Sequence, residues 1–123
     1  MNHAVISIGS NTADNKAQIA EAIKWLKGTL LNVKVSRVYS TRPLSNKGND
    51  YANAVMSGDC DDDYETINAS LKRHEAECGR DEACKMSGNV PIDLDIVVWN
   101  GKVMREKDYN QDFFKIGWEE ICK

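Results

Sequence analysis

The segment Pro91-Ile92-Asp93-Leu94-Asp95-Ile96-Val97-Val98-Trp99 constrains this chain more than any other. Residues 92–99 have the composition and period of a strand, and Asn100-Gly101 supplies the chemistry of a tight turn directly after it. Strand side chains alternate between faces and rise about 3.3 Å per residue, so Asp93 and Asp95 share a face roughly 7 Å apart. Ile92, Leu94, Ile96 and Val98 take the opposite, core-facing side. Two carboxylates beside so many apolar residues are costly unless solvent, basic neighbours or a divalent cation offsets them. Mg²⁺ suits such a pair, because it takes one or two carboxylates and shares its other positions with water and phosphate oxygens. A solvated pair on an open sheet face is the competing reading.

The rest of the chain reads as further strands and helices. Residues 4–8 form a first strand, broken by Gly9-Ser10-Asn11-Thr12, which we read as a structural turn. Asp14 or Asn15 caps a helix over about 15–27, with Ile19, Ala22, Ile23 and Leu26 on one face and Gly28 as its stop. Residues 30–41 alternate as a second strand, 42–50 form a polar loop, and 51–58 form a third strand. In that third strand Tyr51, Asn53 and Val55 oppose Ala52, Ala54 and Met56.

Asp59, Asp61, Asp62 and Asp63 lack the glycine and distal glutamate of a calcium loop, and suit a helix N-terminus instead. That helix spans about 63–78, with Tyr64, Ile67, Leu71, His74 and Cys78 along one face; His74 reads as a packed residue and Glu75 falls on a different face. Residues 79–91 are loop-like, a short strand follows at 102–105, and Phe113, Phe114, Ile116, Trp118 and Ile121 mark a last amphipathic helix. The order β-α-β-β-α-β with a C-terminal addition predicts an α+β, ferredoxin-like antiparallel sheet with helices on one face.

Length and charge narrow the function. The 123 residues suit one domain over 1–123, and an acidic balance of −3 argues against nucleic acid as a partner. No apolar run could span a bilayer, and the N-terminus does not read as a signal peptide, so the expected location is the cytoplasm. The four cysteines, Cys60, Cys78, Cys84 and Cys122, lack CxxC spacing and read as reduced thiols, although a short Cys78–Cys84 loop permits a disulfide.

Several segments together resemble one family. These are Val5-Ile6-Ser7-Ile8-Gly9-Ser10-Asn11, Val38-Tyr39-Ser40-Thr41-Arg42-Pro43-Leu44, Asp50-Tyr51-Ala52-Asn53-Ala54-Val55, Glu75 with Cys78-Gly79-Arg80, and Pro91-Ile92-Asp93-Leu94-Asp95-Ile96. In this order, over about residues 4–99, they are similar to the landmarks of the 6-hydroxymethyl-7,8-dihydropterin pyrophosphokinases of folate biosynthesis. The resemblance implies a ferredoxin-like fold and transfer of pyrophosphate from ATP to the pterin hydroxymethyl oxygen, with release of AMP. It implies that Asp93 and Asp95 hold two Mg²⁺ ions, that Arg80 serves catalysis, and that Glu75 and Arg80 lie on the ATP side, where Lys85, close by in sequence, is also expected to bind ATP. Thr41, Pro43, Leu44, Tyr51, Asn53 and Phe113 would then form the pterin site, with Phe114 an equal alternative for the aromatic face.

The departures from the family pattern fall on its cations. Glu82 stands where a second arginine is expected, and Met86-Ser87-Gly88-Asn89-Val90 replaces a stretch with two arginines and a tryptophan. Residues 103–116 carry no proline, no histidine and no arginine beyond Arg105. Arg80, Lys85, Arg42, Lys47 and Lys115 are the cations expected to stand in. A second reading keeps the fold and a pterin or nucleotide pocket as a binding or regulatory module without turnover. The two readings differ in whether positive charge faces the carboxylate pair.

Overall fold

A computed structural model describes residues 1–43, 49–78 and 90–122. Leu44, Lys47, Arg80, Cys84 and Lys85, named above, lie outside the described residues, as does most of the expected loop over 79–91.

The strands are β1 (Asn2–Ser10), β2 (Leu31–Val35), β3 (Tyr39–Thr41), β4 (Tyr51–Cys60), β5 (Asp93–Trp99) and β6 (Lys102–Val103). The helices are α1 (Asn15–Thr29), α2 (Tyr64–Glu77), α3 (Glu106–Tyr109) and α4 (Asp112–Ile121). The sheet runs β2-β4-β1-β5-β6, with β3 also pairing to β4, and every described pairing is antiparallel. This is an α+β architecture consistent with the ferredoxin-like plan.

Alternation along the central strands divides the interior into two layers. Ile6, Ile8, Ala52, Ala54, Met56, Leu94 and Ile96 pack under α1 and α2, which contribute Ile19, Leu26, Ile67 and Leu71. The other layer holds Val5, Val55 and Val97 with Phe114 and Ile121 of α4. Helices therefore cover both faces: α1 and α2 on one, and the C-terminal α4 over part of the other. Beside the carboxylate strand, the described residues leave a cleft on that second face.

Four local expectations change. β1 continues through Gly9 to Ser10, because both keep pairing with β4, and the chain leaves the sheet at Asn11. α1 passes through Gly28 to Thr29, whose hydroxyl bonds the Trp25 carbonyl at 3.1 Å. The expected strand over 30–41 is two strands, because Ser36 breaks it: its hydroxyl accepts from the Val55 amide at 2.9 Å, while its own amide donates to the Val55 carbonyl at 2.9 Å. In β5 the register shifts against Val5/Ile6, so Val98 joins the α4 layer rather than following Ile92, Leu94 and Ile96.

Other expectations hold. Asp63 caps α2, accepting from the Thr66 amide at 2.8 Å, and that bond holds its carboxyl below the usual range. Asn100 and Gly101 both take positive φ, at 51° and 81°, which a two-residue hairpin loop between β5 and β6 requires. His74 stacks on Trp25 with ring centroids 4.1 Å apart. Cys60, Cys78 and Cys122 are free thiols. No described helix is long and apolar enough to cross a membrane.

Candidate functional site

The register of the three central strands builds the floor of a cleft. Gly9 of β1 pairs with Asn53 of β4 on one side and Asp93 of β5 on the other. One step along, Ser7 pairs with Val55 and with Asp95. Asn53, Gly9 and Asp93 thus form one row across the sheet, and Val55, Ser7 and Asp95 form the next. Gly9 leaves the centre of the first row empty: a Cβ there would lie 3.5 Å from the Tyr51 ring and 3.6 Å from Asn53 Oδ1.

The resulting cleft has a volume of about 350 Å³. Thr41, Pro43, Tyr51, Asn53 and Phe113 line it together with Asp93 and Asp95, and Arg42, Arg105 and Asp108 complete its rim. Phe113 faces it from α4, whereas Phe114 is fully buried beneath, so of these two phenylalanines Phe113 offers its ring to a ligand. Asn53 is almost fully buried, and its Nδ2 donates to Thr41 Oγ1 at 2.7 Å and to the Tyr51 carbonyl at 3.3 Å. With the amide nitrogen committed, Oδ1 is the acceptor on the Gly9 side, an orientation fixed by the bonding network.

The carboxylates draw their positive charge from unexpected residues. Lys72 Nζ lies 2.9 Å from Asp95 Oδ1, and an Arg105 guanidinium nitrogen lies 3.8 Å from the same oxygen. Burial, then the neighbouring Asp93 charge, pushes the Asp95 carboxyl above its ordinary value, despite the opposing pull of Lys72 and Arg105. Burial works to lower Lys72, but the charge and hydrogen bond of Asp95, with Glu75 and Asp93, outweigh it and raise the ammonium. Asp108 and Asp95 raise Arg105 in the same way. Among the described residues, Lys72 and Arg105 thus only partly offset the burial of Asp95 beside Asp93.

Glu75 lies outside the cleft lining. It is 6% exposed and follows Ile67 and Leu71 at four-residue spacing on the buried stripe of α2, rather than on a separate face. Its Oε2 accepts from the Leu94 amide at 2.7 Å and from Lys72 at 3.3 Å, which fastens α2 to the carboxylate strand. Lys115 is exposed and is not among the lining residues. Sequence reasoning missed Lys72, Arg105 and Gly9 as parts of the site. Lys72 carried one usable signal, an i,i+3 pairing with a glutamate that itself sits at core spacing.

A model of the 7,8-dihydro-6-hydroxymethylpterin-pyrophosphokinase (HPPK) family matches residues 5–123. The chain belongs to the HPPK family. The match extends through α3 and α4, beyond the segments that first suggested the family. No individual curated protein matches the chain significantly. Membership ties the chain to pterin pyrophosphokinase chemistry in folate biosynthesis at the level of the family.

Proposed function

We propose that residues 1–123 form one catalytic domain that transfers the pyrophosphoryl group of ATP to the hydroxymethyl oxygen of 6-hydroxymethyl-7,8-dihydropterin. A bond forms between that oxygen and the β-phosphorus, the bond from the β-phosphorus to the α-phosphate oxygen breaks, AMP leaves with that oxygen, and the hydroxyl proton passes to solvent. Reduced thiols at Cys60, Cys78 and Cys122 would suit a cytosolic setting.

The observation that carries this reading is the convergence of Thr41, Pro43, Tyr51, Asn53 and Phe113 with Asp93 and Asp95 around one cleft. The pterin would lie between the Phe113 and Tyr51 rings, above the gap at Gly9, and Asn53 Oδ1 would accept from its ring N–H groups. Asp93 and Asp95 would hold Mg²⁺. The donor set fits: two carboxylates on one strand, one of them pushed above its ordinary pKa by burial and by the other's charge, suit a cation that completes its shell with water and phosphate oxygens. Bound magnesium would neutralise phosphate charge and align the two reacting oxygens.

Lys72 and Arg105 favour turnover over a merely binding role, since they bring to the pair the positive charge that the departures from the family pattern had removed. Phosphoryl-type transfer depends chiefly on alignment and charge neutralisation, so cations from new positions can serve it.

The test is AMP release from ATP and Mg²⁺, with and without the pterin, with Asp93→Ala as control. Pterin-dependent AMP that disappears in the control supports the reading. Pterin binding without AMP in any condition would instead identify a binding module.

A further inference from the structure

Lys72 spends its ammonium on the protein. Its Nζ lies 2.9 Å from the Leu94 carbonyl, 2.9 Å from Asp95 Oδ1 and 3.3 Å from Glu75 Oε2. An ammonium has three N–H donors, so these acceptors use all of them. Arg105 approaches Asp95 on the same oxygen, Oδ1. The two cations are tethered, one by α2 and one at the entry to α3, and cannot diffuse away when another cation arrives.

Any divalent ion that takes Asp95 therefore shares one carboxylate with an ammonium and a guanidinium. The Asp95 side chain is 12% exposed, so solvent screens this repulsion incompletely. A triphosphate entering the cleft reverses the balance, because its negative charge attracts the ion and both tethered cations.

We propose that Lys72 makes divalent-cation capture at Asp93 and Asp95 conditional on the nucleotide: without ATP it occupies Asp95 and disfavours the metal, and with ATP its charge is taken up by phosphate. The inference rests on reading this pair as the metal–nucleotide site. Linkage is reciprocal, so the residue that makes the metal wait for the nucleotide also strengthens nucleotide binding once the metal is present. A purely structural Lys72, pinning α2 to β5, would alter stability and leave that coupling unchanged.

The experiment measures Mn²⁺ binding by water-proton relaxation, with and without a non-hydrolysable ATP analogue, in the wild type, Lys72→Met and Lys72→Arg. In the wild type, Mn²⁺ affinity should rise at least about tenfold when the analogue is added. Lys72→Met should raise the nucleotide-free affinity about tenfold and shrink the gain from nucleotide, while Lys72→Arg keeps the wild-type pattern. If Lys72→Met does not fold, Lys72→Gln is read in the same way. An unchanged or lower nucleotide-free affinity in the folded variant overturns the inference while leaving the metal reading intact. No Mn²⁺ binding in the wild type even with the analogue, and no difference from Asp95→Ala, overturns the metal reading and the inference with it.

Discussion

The Tyr39 hydroxyl donates to the carbonyl oxygen of Phe113 at 2.5 Å. The same hydroxyl oxygen accepts from the Gly117 amide at 3.1 Å, so a side chain from β3 joins two backbone groups of α4 that stand four residues apart. Phe113 is the one ring that α4 offers to the cleft, and Tyr39 pairs in register with Asn53, a residue of the cleft floor. One hydroxyl thereby ties two sides of the proposed pterin pocket together.

Tyr39→Phe keeps the ring and removes both bonds. It should cost about 1–3 kcal/mol in denaturant unfolding, since buried backbone groups lose a partner. Pterin should bind more weakly, with ATP spared. Equal weakening of both ligands would show that the hydroxyl acts only on global stability.

The same hydroxyl predicts an alkaline limit. Burial, aided by the Glu120 charge and opposed by the Gly117 bond and Arg37, pushes Tyr39 from 10.0 up to about 12. A folded-state value above the unfolded one favours the neutral phenol in the fold. Its stabilisation is complete below pH 10 and is lost as pH rises through about 12. A stability–pH curve should fall across that window in the wild type and fall less in Tyr39→Phe.

Gly117 is where α4 rests on the sheet. A Cβ there would lie 2.6 Å from Val55 Cγ2 and 2.8 Å from the Tyr39 hydroxyl. Gly117→Ala should destabilise by about 1–3 kcal/mol, the usual cost of overpacking, despite alanine's better helix propensity. A thermal melt at or above the wild-type midpoint would show that α4 is not held this closely in solution.

Gly9 offers the reverse test. A methyl there meets Tyr51 and Asn53 only at ordinary contact distance, so Gly9→Ala should leave stability within about 0.5 kcal/mol. The added atom intrudes on the cleft floor, and a β-branched residue intrudes further. Pterin affinity should fall in the order Gly9, Gly9→Ala, Gly9→Val, while ATP affinity stays level. Titration of each variant with both ligands checks the order.

Glu75→Ala removes the acceptor for the Leu94 amide and one of three for Lys72. Loss of a buried charged acceptor should cost about 1–3 kcal/mol, measurable by urea unfolding. Glu75→Gln keeps an oxygen for the Leu94 amide and should recover much of that loss. If both variants unfold alike, the charge matters more than the bond.

Much of this was legible in the sequence because period-2 patterning carried it. The alternation in Ile92–Ile96 and in Tyr51–Met56 set both which residues enter the core and which face the cleft, before any strand partner was known. Local signals failed where a distant group intervened. Ser36 interrupts an apparently continuous strand because its hydroxyl takes the place of a ladder partner for Val55. Gly28 does not stop α1, since burial of Leu26 and Leu30 on either side of it outweighs its propensity. Glu75 was misplaced because a carboxylate at core spacing is unexpected unless its partner, the Leu94 amide on another element, is known. Lys72 and Arg105 reach Asp95 from separate elements, so no sequence window contains them together.

The hold of α2 on Leu94 has one more consequence. A strand flanking a binding cleft invites foreign backbone, because its outward N–H and C=O groups can recruit another chain. At Leu94 both groups are already taken, the amide by Glu75 and the carbonyl by Lys72. An intruding segment would have to evict a buried glutamate and strip a lysine of its acceptors before it could zip on. The contacts that supply charge to the site thus also guard this stretch against aggregation, so variants at Lys72 or Glu75 that remain folded should still be the first to self-associate when concentrated.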